Sequence, residues 1–150
     1  MKKYEFKGNF LYYVRLLKKL HEKILTNAAK KCDLTLPEAD VLLFLHENPK
    51  FDTARDVALY REVSRAYVSK AVELLAKRKY IKITHDKEDR RLQHLVITED
   101  AKKATEILSK AQFEFYDNVT AGISTEEIAA MLRTIERCAE NLDTGVEERP

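Results

Sequence analysis

Residues 64–98 read SRAYVSKAVELLAKRKYIKITHDKEDRRLQHLVIT, and this stretch decides the fold. Ser64 is a favourable helix N-cap because its hydroxyl can accept a hydrogen bond from a backbone amide of the first turn. Apolar residues then recur every three or four positions, as on the buried face of a helix: Val68, Ala71, Val72 and Leu75. From Ile81 onward the pattern changes to the two-residue alternation of strands, with the polar loop DKEDRR between the two runs. The stretch therefore predicts one helix followed by a two-stranded hairpin with a basic tip.

The face of this helix opposite its apolar side carries Arg65, Ser69 and Lys70 near the N-terminal end. A helix with a small, polar and cationic front fits the major groove of DNA. A hairpin with two adjacent arginines, Arg90 and Arg91, fits the neighbouring backbone or minor groove. We interpret the stretch as part of a winged helix-turn-helix that binds DNA.

The residues before this stretch supply the other helices of such a motif. Thr35 with Glu38 forms a capping box, which predicts a helix with Val41, Leu42 and Leu45 on its buried side. Asn48-Pro49 ends that helix, and Asp52 or Thr53 caps a short helix over residues 54–59. Two short helices joined by a tight turn are the helix-turn-helix arrangement.

Longer helices flank this lobe on both sides. A polar stub over residues 1–7 precedes a long amphipathic helix, and Thr98 with Glu99 and Asp100 predicts a helix start after the hairpin. Ser124 with Glu127 predicts the start of the last helix. Its apolar residues recur in a heptad-like seam: Ile128, Leu132, Ile135, Ala139 and Leu142.

These flanking helices are longer than is needed to cover the core of a winged-helix domain. Their apolar stripes predict a two-fold dimer, in which two recognition helices lie about 34–36 Å apart and read successive major grooves. The alternative is that the same helices fold back onto the monomer as ordinary core. The predicted fold is mainly α with a small β-hairpin wing and about six helices. Its single compact domain has three segments: an N-terminal dimerisation helix over 1–34, the DNA-binding lobe over 35–98 and C-terminal dimerisation helices over 99–150.

The charge is sorted along the chain. Residues 53–98 carry 11 basic and 6 acidic side chains, whereas residues 99–150 carry 6 basic and 12 acidic ones, and the net charge of the 150 residues is +2. This favours a polyanion as partner on one side of the molecule. Apolar runs are too short for a membrane span and no signal peptide is evident, so we expect a cytoplasmic protein.

The sequence offers little for catalysis. It has no glycine-rich phosphate loop, nucleophile elbow or metal-binding helix signature, and we predict no enzyme activity, no cofactor and no metal. Cys32 and Cys138 are too few for a disulfide framework, and buried or incidental thiols are favoured over an oxidation sensor. His21 falls on an apolar stripe, which predicts a core or ligand-pocket histidine.

The helix order, the helix SRAYVSKAVELLAKRKYI and the wing DKEDRRLQHLVITED resemble the multiple-antibiotic-resistance regulator (MarR) family over nearly the whole chain. The most specific part is D-x-x-D-R-R, matched by Asp86, Asp89, Arg90 and Arg91. The resemblance implies a homodimeric transcriptional regulator, often a repressor, on a pseudo-palindromic operator. Many members are released by a small ligand held between the dimer helices and the DNA-binding lobe.

Carried over to this chain, the resemblance implies that Arg91 enters the minor groove while Asp89 holds its guanidinium through a charge-assisted hydrogen bond. Arg90 would meet phosphate or the protein body. Ser64 would donate to a phosphate, and Tyr67 would either stack on thymine methyls or shield the turn. The predicted DNA-binding residues are Ser64, Arg65, Tyr67, Ser69, Lys70, Asp89, Arg90 and Arg91.

One residue departs from the family pattern. Lys79 stands where the family usually has glycine after the recognition helix, at a cost of about 1 kcal/mol if the left-handed cap is kept.

Two interpretations stay open. A winged-helix module that packs against protein is the alternative to a DNA-binding regulator. Aromatic residues on the long helices could line an effector pocket or be plain core: Tyr12, Tyr13, Phe113 and Tyr116.

Overall fold

The computed structural model describes residues 3–89 and 91–141, with side chains from residue 9 onward. The described part contains six α-helices and one hairpin, the mainly α fold that the sequence predicts. The helices are α1 (Lys3–Lys31), α2 (Leu36–Glu47), α3 (Ala54–Tyr60), α4 (Arg65–Lys77), α5 (Lys102–Val119) and α6 (Thr125–Glu140), and the strands are β1 (Ile81–His85) and β2 (Gln93–Ile97). Arg90 and Leu142, both named in the sequence analysis, lie outside the described residues.

By its internal contacts the chain divides into two units, residues 1–112 and 113–150. The division falls within α5, because the first part of that helix belongs to the first unit. The segment boundaries predicted at residues 34 and 98 stay a prediction.

Helix α2 forms the centre of the first unit. It begins with the predicted capping box, in which the amide of Glu38 donates to the Thr35 hydroxyl and the Thr35 amide donates to the Glu38 carboxylate. Residues 41–45 are all buried, including Leu43 and Phe44, which the spacing had not placed on the inner side. The helix contacts α1, α3, α4 and β2, which explains why its middle, residues 41–45, is apolar all round.

The helix-turn-helix forms as predicted. Thr53, and not Asp52, caps α3, and its partner in the capping box is Asp56. Ser64 caps α4 by accepting a hydrogen bond from the Tyr67 amide at 3.1 Å. The turn between the helices has Glu62 in the left-handed region, with φ of 53°. The predicted inner face of α4 is buried: Val68, Ala71, Val72 and Leu75.

The hairpin is antiparallel, with Ile81 opposite Ile97 and Ile83 opposite Leu95. Ile81 and Leu95 are buried, so the base of the hairpin closes the core beside α4. Ile83 is 39% exposed although it lies opposite the buried Leu95, so the two side chains of this pair are unequally buried.

The predicted start of the first helix is wrong, whereas the predicted helix start at Thr98 is confirmed but has no side-chain cap. Helix α1 begins at Lys3, so most of the predicted polar stub is helical. The hydroxyl of Thr98 makes no capping bond; it donates to the carbonyl of Lys79 across the base of the hairpin. The chain therefore enters α5 through a 3₁₀ turn, Glu99–Ala101.

Lys79 adopts the left-handed conformation that its family position implies, with φ of 63°. The cap is complete, because the Lys79 amide donates to the Ala76 carbonyl and the Tyr80 amide donates to the Leu75 carbonyl, both at 2.9 Å. The backbone thus keeps the glycine-type cap although a lysine occupies it.

We therefore expect Lys79→Gly to raise the free energy of unfolding by about 0.5–1 kcal/mol, because the left-handed strain of an L-residue exceeds the extra unfolded-state entropy of glycine. Urea denaturation at fixed protein concentration measures this. Lys70→Gly in the exposed middle of α4 is the matched control, and it should lower stability by about 1 kcal/mol. Equal destabilisation by both glycines would contradict a strained cap at Lys79.

The second unit contains the end of α5 and the whole of α6. Gly122, with φ of 77°, ends the turn after α5, and Ser124 with Glu127 forms the predicted capping box. Hydrogen bonds from the Ser124 amide and hydroxyl lower the pKa of Glu127. No residue of α6 is buried, and Met131, Leu132 and Ile135 are each about half exposed.

Candidate nucleic-acid interface

The exposed front of α4 carries the residues predicted for the major groove. Arg65, Ser69 and Lys70 are all exposed, whereas Val68 between them is buried. Ser64 is exposed as well, so its hydroxyl can cap the helix and still face solvent. The first turns of α4 therefore present two cations and two hydroxyls on one side.

Arg55, in the first turn of α3, was missed by the sequence analysis. It lines a shallow depression of about 260 Å³ together with Ala54, Arg65 and Ser69. A basic residue one position after the start of a predicted helix-turn-helix was the signal that could have revealed it. The depression adds a third exposed cation to the front of the motif.

We call the hairpin, residues 81–97, the wing. Two aspartates shape its tip. The carboxylate Oδ1 of Asp86 accepts the amides of Glu88 and Asp89 at 2.7 and 2.9 Å. The Asp89 Oδ1 accepts the amide of Arg91 at 2.9 Å. The two backbone hydrogen bonds lower the pKa of Asp86 below its usual range, so this carboxylate stays charged. Asp86 and Asp89 of the D-x-x-D-R-R motif thus shape the wing tip, and Arg91 is exposed there.

The described hydrogen bond of Asp89 differs from the predicted one. It reaches the backbone amide of Arg91, whereas the resemblance implies a bond to the guanidinium. Asp89 therefore fixes the backbone that carries Arg91, and its role toward the guanidinium on DNA stays a prediction. Arg90 lies outside the described residues, so its predicted role also stays open.

His94 joins the wing to the segment before α3. Its Nδ1 lies 2.8 Å from an oxygen of Asp52, and its Nε2 lies 3.4 Å from an oxygen of Asp86. The hydrogen bond to Asp52, supported by that to Asp86, raises the pKa of His94 above its usual value. A backbone hydrogen bond connects the same two segments, because the Leu95 amide donates to the Asp52 carbonyl at 2.7 Å. The wing and the start of α3 are therefore held together by an imidazole between two carboxylates.

Tyr67 faces away from the front of α4. It is half-buried and lines a cavity of about 280 Å³ that also borders Leu25 of α1, Leu36 of α2 and Val63 in the turn. Burial raises the pKa of the Tyr67 hydroxyl. Of the two roles predicted for Tyr67, this placement supports shielding of the turn.

The same cavity contains an ion pair at the end of α3. The Arg61 Nε lies 3.2 Å from an oxygen of Asp40, and the guanidinium lies over the ring of Phe44, 5.3 Å from its centroid. Burial raises the pKa of Asp40, although Arg61 acts in the opposite direction. A second oxygen partner, from Glu47, lies 4.0 Å from Arg61.

His21 lines the cavity from α1, as its place on an apolar stripe predicts. Its Nε2 lies 3.0 Å from the Gln112 side-chain oxygen, and the Gln112 amide donates to the carboxylate of Glu47. Because Glu47 also neighbours Arg61, a chain of polar side chains links α1, α5 and α2 to the end of α3.

The remaining sequence candidates lie at the surface or near it. Four aromatic side chains are each at least half exposed, so they are not core in the single chain: Tyr12, Tyr13, Phe113 and Tyr116. Cys138 is exposed, and burial raises the pKa of the half-buried Cys32. Among the described residues, no helix is both long and apolar enough to span a bilayer.

A helix-turn-helix followed by a hairpin wing defines the winged-helix class. The model of the MarR family matches residues 33–92, which contain α2, α3, α4 and most of the wing. No curated protein matches the chain significantly. The winged-helix lobe of the chain thus resembles the MarR family, as the wing motif predicted.

Several solved structures share the fold of this chain at low sequence identity. A MarR-family regulator from Silicibacter pomeroyi is 16% identical with a TM-score of 0.79, covering 99% of this chain and 100% of its own. One from Listeria monocytogenes, complexed with 26-mer DNA, is 16% identical with a TM-score of 0.77, covering 93% and 97%. CouR from Rhodococcus jostii RHA1, bound to p-coumaroyl-CoA, is 17% identical with a TM-score of 0.74, covering 89% and 94%. These likenesses concern the fold.

Proposed function

We propose that this protein is a homodimeric repressor that binds a pseudo-palindromic operator and is released by a small ligand. The observation that carries DNA binding is the cationic front of the helix-turn-helix, with Arg55, Arg65 and Lys70 exposed beside hydroxyl groups. Major-groove readers use such a front for phosphate and base contacts. The exposed Arg91 at the wing tip supplies the minor-groove contact. The structure of the same fold from Listeria monocytogenes is complexed with 26-mer DNA, which supports DNA as the partner.

Selection from a pool of random-sequence duplexes tests this proposal directly. The expected result is an enriched two-fold symmetric sequence, whose affinity for the protein falls steeply with salt as condensed counterions are released from phosphates. Failure to enrich any duplex, or binding that does not depend on salt, would favour the alternative of a winged-helix module that packs against protein.

Arg91→Ala should weaken binding to the selected duplex by about 1–3 kcal/mol, because one groove contact is lost while the fold and the assembly remain. Titration by fluorescence anisotropy measures the loss. Lys103→Ala, which removes an exposed cation from α5, is the control for a simple change in net charge and should have little effect. Equal losses in the two variants would contradict a specific role of the wing.

The cavity of about 280 Å³ supports ligand control. It lies between α1, α2 and the turn of the helix-turn-helix, and Arg61, Glu62 and Val63 of that turn line it. A ligand that separates Arg61 from Asp40 would move the residues that set the angle between α3 and α4. CouR, which has this fold, was solved with p-coumaroyl-CoA bound. That complex supports a ligand with an aromatic acyl group for this protein.

Ligand control is tested by screening phenolic and other aromatic compounds for release of the selected duplex. Linkage requires reciprocity: a compound that weakens DNA binding by a given factor must bind the DNA complex more weakly by the same factor. A cavity-filling variant, Val63→Phe, should lose the response to the compound. A response that persists in this variant would place the ligand elsewhere.

The dimer is supported by apolar side chains that the single chain leaves exposed. In the first unit they lie on the N-terminal half of α1: Phe10, Leu11, Tyr12, Tyr13, Val14, Leu16, Leu17 and Leu20. In the second unit they lie on α5, the following turn and α6: Phe113, Tyr116, Val119, Ile123, Met131, Leu132 and Ile135. Exposed apolar area on this scale marks an interaction surface, and we infer that a second copy of the chain covers it.

A further inference from the structure

Only the protonated form of the His94 imidazole can donate a hydrogen bond to both of its neighbours. Both of its nitrogens face carboxylate oxygens, of Asp52 at 2.8 Å and of Asp86 at 3.4 Å. An ionised carboxylate can only accept, and the backbone hydrogen bonds to Asp86 lower the pKa of that carboxyl. A neutral imidazole has one N–H donor and one lone pair, whereas an imidazolium has two donors. The observed arrangement therefore needs the proton.

Loss of that proton would act on the wing tip. The shorter contact keeps the one remaining N–H on Asp52, so the lone pair of Nε2 would face the Asp86 oxygen. Asp86 is also the residue that organises the tip, because its other oxygen accepts the amides of Glu88 and Asp89. Repulsion between Nε2 and Asp86 is thus transmitted to the turn that presents Arg91.

The charge balance near the DNA changes in the same direction. The charged groups acting on His94 are Asp52, from the segment before α3, and Asp86, from the wing. Its partner across the hairpin is the uncharged Thr84. The cluster of His94 and its two carboxylates therefore has a net charge of about −1 with the proton and about −2 without it. A polyanion disfavours the second state.

We propose that His94 is a positioning residue that holds the wing in its DNA-binding arrangement only while the ring is protonated, so that DNA affinity falls as pH rises through the titration of His94. This inference rests on the proposed DNA-binding function and adds a regulatory input to it. The sign follows from the raised pKa of the ring in the folded protein: the stabilising contacts are complete at lower pH and are lost as pH rises. His94 acts through Asp86 and touches no base itself.

The test is the affinity for the selected duplex between about pH 5.5 and 8.5 at constant ionic strength, across the range in which histidine titrates. The parent should lose at least about fivefold more affinity across this range than His94→Gln, which cannot titrate, in keeping with the usual size of coupling between two sites. The matched control is His85→Gln. His85 pairs with Gln93 and so points to the opposite face of the hairpin, and this variant should follow the parent profile.

Asp86→Asn separates positioning from a general structural role. The asparagine Oδ1 can still accept the two backbone amides, while its Nδ2 can donate to the neutral ring. Affinity at alkaline pH should therefore be retained, and the profile should become shallower than that of the parent. A merely structural role of His94 predicts a uniform loss of affinity at every pH and no flattening.

A direct measurement of the ring completes the test. The pKa of His94, followed by NMR of the histidine ring, should be higher in the DNA complex than in the free protein, because linkage is reciprocal. Parallel pH profiles for the parent and His94→Gln, or an unchanged pKa in the complex, would overturn the inference while leaving DNA binding in place. A parent that binds no duplex at any pH would overturn the proposed function and the inference with it.

Discussion

Replacing Glu38 by alanine should lower the free energy of unfolding by about 2–4 kcal/mol, the combined scale of a lost helix cap and a lost charged hydrogen bond. Glu38 is 1% exposed, and one of its oxygens accepts the amide and the hydroxyl of Thr35 at 2.8 and 2.7 Å. The other oxygen accepts from the Nε of Arg78 at 2.8 Å. One carboxylate therefore joins the start of α2 to the end of α4, the helix that carries the proposed DNA-reading face.

The pH dependence of this contribution has a definite sign. Burial opposes the charged form of Glu38, but the hydrogen bonds from Thr35 and Arg78 outweigh it and lower the pKa. A carboxyl with a lowered folded-state pKa contributes stability above its unfolded pKa and loses it as pH falls through the folded one. The parent should therefore lose stability in acid relative to Glu38→Gln, which has no carboxyl to protonate.

Urea denaturation at fixed protein concentration measures these effects, since oligomerisation would make stability depend on concentration. The matched control is Glu73→Ala. Glu73 pairs with Lys77 at 2.6 Å, but both side chains are about two-thirds exposed, so solvent screens the pair and the loss should be much smaller than for Glu38. If the two substitutions lower the free energy of unfolding equally, the buried pair of Glu38 and Arg78 does not stabilise the fold in the way its geometry suggests.

The contrast between these two glutamates also shows which features a sequence predicts. Local signals were correct wherever the partners are close in the chain, as with Thr35 and Glu38 or Ser124 and Glu127. The pairing of Glu38 with Arg78 joins residues 40 positions apart, and no periodicity indicates it. The same limit explains Thr98, whose hydroxyl finds a distant carbonyl and does not cap the helix that follows it.

The same distinction between local and distant partners applies to the candidate site. The faces of α4 follow from helical spacing, so its buried and exposed residues could be predicted from the sequence. The partners of His94 could not, because Asp52 and Asp86 approach it only when the hairpin and the segment before α3 have folded together. Tyr67 is an intermediate case, since the sequence left two roles open and the cavity wall supports one.

Charging the exposed seam of α6 should convert the proposed dimer into monomers. In Leu132→Glu combined with Ile135→Glu, two carboxylates replace side chains that are 51% and 45% exposed in the single chain and that we infer to be buried between copies. Burying an unpaired charge at such an interface is unfavourable. Light scattering or analytical ultracentrifugation should then give the mass of one chain.

DNA binding supplies the second measurement. In a dimer, binding of one DNA-binding lobe raises the effective concentration of the other at the second half-site. The monomeric double variant should therefore bind a duplex with two half-sites more weakly by about 10²-fold or more. Its affinity for a single half-site should be close to that of the parent. This difference separates loss of the dimer from damage to the DNA-reading surface.

The matched control places the same two charges elsewhere on α6. Ala130→Glu combined with Thr134→Glu has the same change in net charge and the same helix, but both positions are exposed and lie away from the seam at helical spacing. This variant should remain a dimer and bind the full duplex like the parent. If both double variants stay dimeric, α6 is not part of the interface, and its apolar stripe must be covered by something other than a second copy. If both become monomeric, the added negative charge is the cause, and the seam loses its special role.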